Sequence, residues 1–196
     1  EDPIRILRAL RLAHKLGFSL DEELRAAIAH NASELGRSVL PRKREEILKI
    51  LRLDEPDLVL IELLDLGLME FVMPSLAKVL AAPDAVEIFF SHFRSYRRLA
   101  KYGADTVHLF AWLIFSMFQT LVDLGENLDV HRLFEDARFG YFMKEELGMY
   151  KFEQASVYNA IELLPVLSQV EEFRRKGERR QLHVLKNEGI HLALQL

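Results

Sequence analysis

Three arginines and an aspartate open the chain at intervals of three: Asp2, Arg5, Arg8 and Arg11, in EDPIRILRALRLAHKLGF. An ionised Asp only accepts hydrogen bonds, and an Arg only donates them. Held side by side, the two can select a base by its pairing edge. Adenine offers an amino donor beside the N1 acceptor, cytosine offers one beside N3, and guanine and uracil reverse that order. An Asp and an Arg therefore suit A or C, much as side chains read base edges in grooves. Arg8 and Arg11, with Lys15, have the chemistry to hold the phosphates of a triphosphate or of an RNA strand.

Such a set works only if one element carries it. With Arg5 at zero and a step of about 100° per residue, Asp2 falls at about +60°, Glu1 at about −40° and Arg8 at about −60°, so all share one helix face. Leu12 and Leu16 lie within about 20° of Arg5, and Arg8, Arg11 and Lys15 form a basic edge. The wheel predicts that Arg5 continues an apolar face that runs into the core. A plainer reading stands beside it: Asp2-Pro3 is an ordinary helix start, with Asp as N-cap and Pro at N1, and an i,i+3 Asp–Arg pair is common helix support.

The rest of the chain reads as helix. Apolar residues recur three and four apart in 4–16, 44–51, 57–64, 84–100, 106–122 and 153–170, and period-2 runs of β-branched residues are scarce. Gly17, Gly36, Pro41, Pro56, Gly67, Pro74, Pro83, Gly103, Gly125 and Gly177 mark breaks, and Ser19 with Glu22 three residues later suggests a capped start. The expectation is an all-α chain of roughly nine helices, with no sheet and irregular multi-helix neck and body regions. Residues 1–52 form a neck-like region and 53–196 a helical body.

Composition narrows the class further. Half of the 196 residues are hydrophobic and there is no cysteine, which excludes a disulfide scaffold and a thiolate metal site. The run LFAWLIFSMF, 109–118, is shorter than the roughly 20 residues of a membrane helix, so no membrane partner is expected. Residues 1–52 carry 11 basic against eight acidic side chains, a net +3, which leaves −7 for the rest of a −4 chain. A second basic cluster, Arg174, Arg175, Lys176, Arg179 and Arg180, surrounds Gly177.

EDPIRILRALRLAHKLGFSLDEEL closely resembles the neck-helix motif of the bacterial poly(A) polymerase and tRNA CCA-adding family, the class II nucleotidyltransferases, written EDxxR and usually extended to EDPxRxLRAxRFAxxLGF. Glu1, Asp2, Pro3, Arg5, Leu7, Arg8, Ala9, Arg11, Leu16, Gly17 and Phe18 match, and Leu12 stands in place of the usual Phe. The resemblance implies that Asp2 and Arg5 read the incoming ATP or CTP, with Glu1, Arg8 and Arg11 supporting the nucleotide. Arg42, Glu45, Glu46, Leu48, Lys49 and Leu51 are similar to a following RxxEExLKxL segment. The tail from Arg174 resembles the RRxGKRxxxLLxxPxFRAAYDLL end of the poly(A) polymerase branch, although Glu178 replaces its Lys and the aromatic residues are missing.

The same likeness implies a catalytic head with a Gly-Gly phosphate loop and an Asp-x-Asp pair holding two magnesium ions. No such motif occurs here. The expectation is therefore a neck and body without catalytic or metal-binding residues, inactive alone, from a cytoplasmic enzyme that joins AMP to RNA 3′ ends. A CCA-adding enzyme is the alternative, and a non-catalytic RNA-binding or protein-interaction module a second. Arg42, Lys43, Arg44 and the cluster from Arg174 to Arg180 are the RNA-phosphate candidates. Phe89, Phe90, Phe93, Tyr96 and Tyr102, interleaved with Arg94, Arg97, Arg98 and Lys101, either stack bases or fill the core. The seven histidines form no HxxxH or HExxH pair of the kind that holds zinc.

Overall fold

Helix starts fall where proline and aspartate favour them. In the computed structural model, which describes residues 2–99, 105–133, 135–187 and 189–194, the helices are α1 (Arg5–Leu16), α2 (Glu22–His30), α3 (Leu40–Leu51), α4 (Pro56–Asp65), α5 (Met69–Val72), α6 (Pro74–Leu80) and α7 (Ala85–Leu99). After them come α8 (Thr106–Asp123), α9 (Ala137–Tyr141), α10 (Lys151–Ser168), α11 (Val170–Arg175), α12 (Glu178–Leu185) and α13 (Ile190–Ala193). Among the described residues there is no strand, and the fold is all-α.

Pro56 and Pro74 occupy the first turns of α4 and α6, where a missing N–H costs nothing. The Asp105 carboxylate accepts from Val107 N and His108 N at 2.9 and 3.0 Å and caps α8. Gly17, at φ 69°, closes α1 in the left-handed region, and Phe18 N donates to Ala13 O at 2.9 Å.

The core is one continuous apolar cluster centred on α8, where every residue from Leu109 to Phe118 is buried. This helix is 18 residues long and apolar enough to cross a membrane by composition, yet α3, α6, α7 and α10 pack around it. Phe89, Phe93, Phe110, Phe115, Phe139 and Phe142 are fully buried, each contributing about 1.5–3 kcal/mol. Phe90 and Tyr96 are buried as well. The aromatic residues of α7 thus fill the core instead of facing bases, while Lys101 and Tyr102 lie outside the described residues. The cluster runs from Ile4 through Ile47 and Val59 to Leu192.

Several expectations need correction. The face of α1 around Arg5 is solvent-facing: Arg5 is exposed, and Leu12 and Leu16 are 43% and 59% exposed. The core takes the opposite side through Leu7, Leu10 and Ala13. Angles on a wheel say which residues share a face, and only the packing partners decide which face is covered. The second helix is capped by Asp21, which accepts from Leu24 N at 2.7 Å, and not by Ser19. A break does fall at Pro41, in the first turn of α3, but that helix begins at Leu40, four residues before the apolar period of 44–51. The period in 153–170 is interrupted at Gln169, between α10 and α11.

Candidate functional site

Two carboxylates fix the orientation of α1. Glu46, on α3 and fully buried, accepts from Arg8 Nε at 3.1 Å, Arg11 Nε at 3.0 Å and Lys49 Nζ at 3.2 Å. Burial pushes its carboxyl up, but the bonds from Arg11, Lys49 and Arg8 outweigh that and hold it below the ordinary carboxylate range. Glu62, on α4, pairs with His14 Nε2 at 2.6 Å and with Arg25 of α2. The middle of α1, through Arg8 and Arg11, and its C-terminal turn, through His14, are thereby tied to the body by charge-assisted bonds, the stronger class.

At the head of this helix, Asp2 Oδ1 accepts from Ile4 N at 3.2 Å, and Oδ2 pairs with the Arg42 guanidinium. Arg5 N donates to the Asp2 backbone carbonyl at 3.1 Å. Asp2 therefore does the work of a local cap and is also held from α3. A carboxylate has about four lone-pair sites, so these two bonds leave it able to accept from a further donor. Glu1 lies outside the described residues.

The expected phosphate contacts divide by burial. Arg8 is 45% exposed along its side chain, but Arg11 is only 15% exposed, which makes Arg11 a strut between α1 and α3. Arg42 is on the surface but engaged with Asp2. Lys43 Nζ donates to Phe71 O at 3.4 Å. Arg44 departs most from an RNA contact: it donates to Gly148 O at 3.2 Å and to Glu153 Oε1 at 2.6 Å, between the rings of Phe110 and Tyr150. An arginine with its forks turned inward cannot also meet a phosphate.

The other basic cluster is open. Arg174, Arg175, Arg179 and Arg180 are exposed, with Arg174 paired to Glu171 at 3.1 Å, and Gly177 precedes α12. Gln181 Nε2 donates to the carbonyls of Phe173, Arg174 and Lys176 and so locks the turn between α11 and α12. Lys176, Arg179 and Arg180 rim a cleft of about 680 Å³ with Val166 and Leu182 in its wall. Among the described residues no group of three His, Asp or Glu is arranged to hold a metal ion.

Sequence reading missed the buried role of Glu46, although Arg42–Glu46 is the family-like segment. Its signal is a carboxylate on the apolar side of α3, flanked by Ile47 and Leu48, where only a paired charge is tolerated. It also missed Tyr150 and Phe152, which are 59% and 66% exposed.

Residues 17–80 match a family model described as "Probable RNA and SrmB-binding site of polymerase A". Two curated relatives are CCA-adding enzymes. That of Lactiplantibacillus plantarum is 38% identical over 77 residues, covering 39% of this chain and 19% of the relative. That of Geobacillus sp. is 45% identical over 51 residues, covering 26% of this chain and 13% of the relative. The chain thus spans less than a fifth of the length of either. No solved structure matches.

Proposed function

We propose that this chain, whose matches support the poly(A) polymerase and CCA-adding family, supplies base selection and RNA binding to a template-independent RNA nucleotidyltransferase. Asp2 accepts from the amino group of the incoming base, and Arg5 donates to the adjacent ring nitrogen. Arg8 leans towards the nucleotide, while Arg11 acts through Glu46 to hold the helix. The exposed arginines from 174 to 180 grip RNA phosphates without reading sequence. The transfer itself, with its magnesium ions, belongs to a catalytic head on the same enzyme.

What supports this reading most is that Asp2 and Arg5 head the outward face of a helix whose body is anchored on Glu46 and Glu62. A base-reading pair has to be both accessible and held. Two products suit such a pair. The Gly177 and Arg179 match in the tail favours AMP addition alone, and the similarity to CCA-adding enzymes favours addition of both C and A.

Primer extension by the complete enzyme tests the reading. Wild type should use ATP, or ATP and CTP, and reject GTP and UTP. Arg5→Ala and Asp2→Ala should each erode that choice by about 1–3 kcal/mol, the worth of a good bidentate base contact. Incorporation of CTP would identify a CCA-adding enzyme and sink the poly(A) reading. Unchanged nucleotide choice in both variants would leave Asp2 as a plain helix cap and the chain as a binding module.

A further inference from the structure

The exposed ring pair at the start of α10 carries an assignment of its own. Tyr150 and Phe152 are stacked with centroids 5.9 Å apart and planes 15° from parallel. Exposed aromatic side chains are usually loose, but this pair is braced. The Arg44 guanidinium lies 4.7 Å from the Tyr150 centroid and 5.0 Å from that of Phe110, a cation between a surface ring and a core ring. Glu153, 3% exposed along its side chain, takes Arg44 on one oxygen and Tyr150 N, at 2.7 Å, on the other. Gln154 Nε2 donates to Met149 O at 2.9 Å and secures the preceding residue. A buried ion pair is thus spent on holding two aromatic rings in solvent.

We infer that Tyr150 and Phe152 form a stacking platform for unpaired bases of single-stranded RNA. The inference rests on the proposed RNA binding and adds the place where bases, not phosphates, are held. Near-parallel faces suit flat ligands, and every base has a π-face, so the platform is indifferent to sequence. Lys151, exposed between the two rings in the chain, sets a cation beside them for the backbone. Arg44, the residue beneath Tyr150, belongs to the 17–80 stretch that matches the RNA-binding family model, so the rings continue that region. Arg44 itself reaches RNA only through the ring that it supports.

Fluorescence anisotropy with a single-stranded oligouridylate, and with an abasic oligonucleotide of equal length, tests the assignment. The double variant Tyr150→Ala/Phe152→Ala should bind the base-bearing strand roughly 5- to 150-fold more weakly, the range for losing one stacked base. Its affinity for the abasic strand and its salt dependence should not change, since no phosphate contact is removed. The variant Tyr150→Leu/Phe152→Leu keeps an apolar cover over Arg44 and should show the same loss, whereas Tyr150→Phe should bind like wild type. Equal affinity of wild type and the leucine variant for the base-bearing strand overturns the platform, as does an equal loss on the abasic strand. Wild type that binds neither strand removes the proposed RNA binding and the platform together. Retained RNA affinity in both double variants would mark the rings as a protein-facing surface.

Discussion

Glu46→Gln removes the charge on which Arg8, Arg11 and Lys49 converge. Arg11 is 15% exposed and Glu46 1%, so that bond is close to a buried charge-assisted hydrogen bond, worth about 1.5–3 kcal/mol. Arg8 and Lys49 are 45% and 39% exposed, and solvent reduces each of their pairs to about 0–1 kcal/mol. The substitution should therefore cost about 2–4 kcal/mol at neutral pH, with part of the loss being the penalty of three cations left facing a neutral amide. The sign of the pH dependence follows from the depressed carboxyl. A group whose folded-state pKa lies below its unfolded value stabilises the fold above that value, 4.5 here, and loses the contribution as pH falls through the folded-state pKa. Urea unfolding of wild type and Glu46→Gln, followed by circular dichroism from pH 7 towards about pH 2, should show the gap narrowing only below the ordinary carboxylate range. A gap under about 1 kcal/mol at pH 7, or one constant down to pH 2, would refute the account of Glu46 as an ionised anchor for α1.

Glu146 should behave in the opposite sense, because burial pushes its carboxyl up against the bonds that it accepts from Ser75. Its neutral form is the better one in the fold, so its contribution is present below the ordinary carboxylate value and is lost as pH rises through the higher folded-state pKa, and Glu146→Gln should melt no lower than wild type at pH 7. Gly189→Ala should destabilise by about 1–3 kcal/mol, since a Cβ there would meet Ala160 N at 2.7 Å and Asn159 C at 2.8 Å, with backbone on the other side; thermal melting checks it. Arg44→Met should cost about 3–5 kcal/mol in urea by stranding Glu153, and adding Glu153→Gln should recover much of that. Neutralising Arg175, Arg179 and Arg180 together should lower the slope of log affinity for single-stranded RNA against log salt by about 2, at about 0.7 per contact, whereas Arg44→Met should leave the slope alone.

The helices were legible because apolar period, proline and aspartate agree along most of the chain. The 106–122 period became α8, and Asp105, Pro56 and Pro74 begin helices as their side chains favour. Short elements were not legible: α5 and α13 are four residues each, too brief to show a period. Arg42, Lys43 and Arg44 looked alike as charges, and only the neighbours brought in from residues 2, 71 and 148–153 separate a surface arginine from an internal one. Likewise the rings of α7 and those at Tyr150 and Phe152 are the same chemistry with opposite burial. Partners distant in sequence decide these cases, and composition carries no record of them.

The face of α1 shows why such a failure is itself informative. The helix is apolar on two sides: Leu7, Leu10 and Ala13 meet the core, while Leu12 and Leu16 surround the line of Arg5 in solvent. A helix that needed only to dock on the body would carry polar residues there. Leu12 and Leu16 lie two and three turns beyond Arg5, about 10 and 16 Å along the axis, so they form an apolar strip of their own on that line and do not adjoin the Asp2 and Arg5 pair. Replacing both exposed leucines by polar residues should therefore leave the base choice of the complete enzyme unchanged and alter stability by no more than about 0.5 kcal/mol each, which primer extension and thermal melting check.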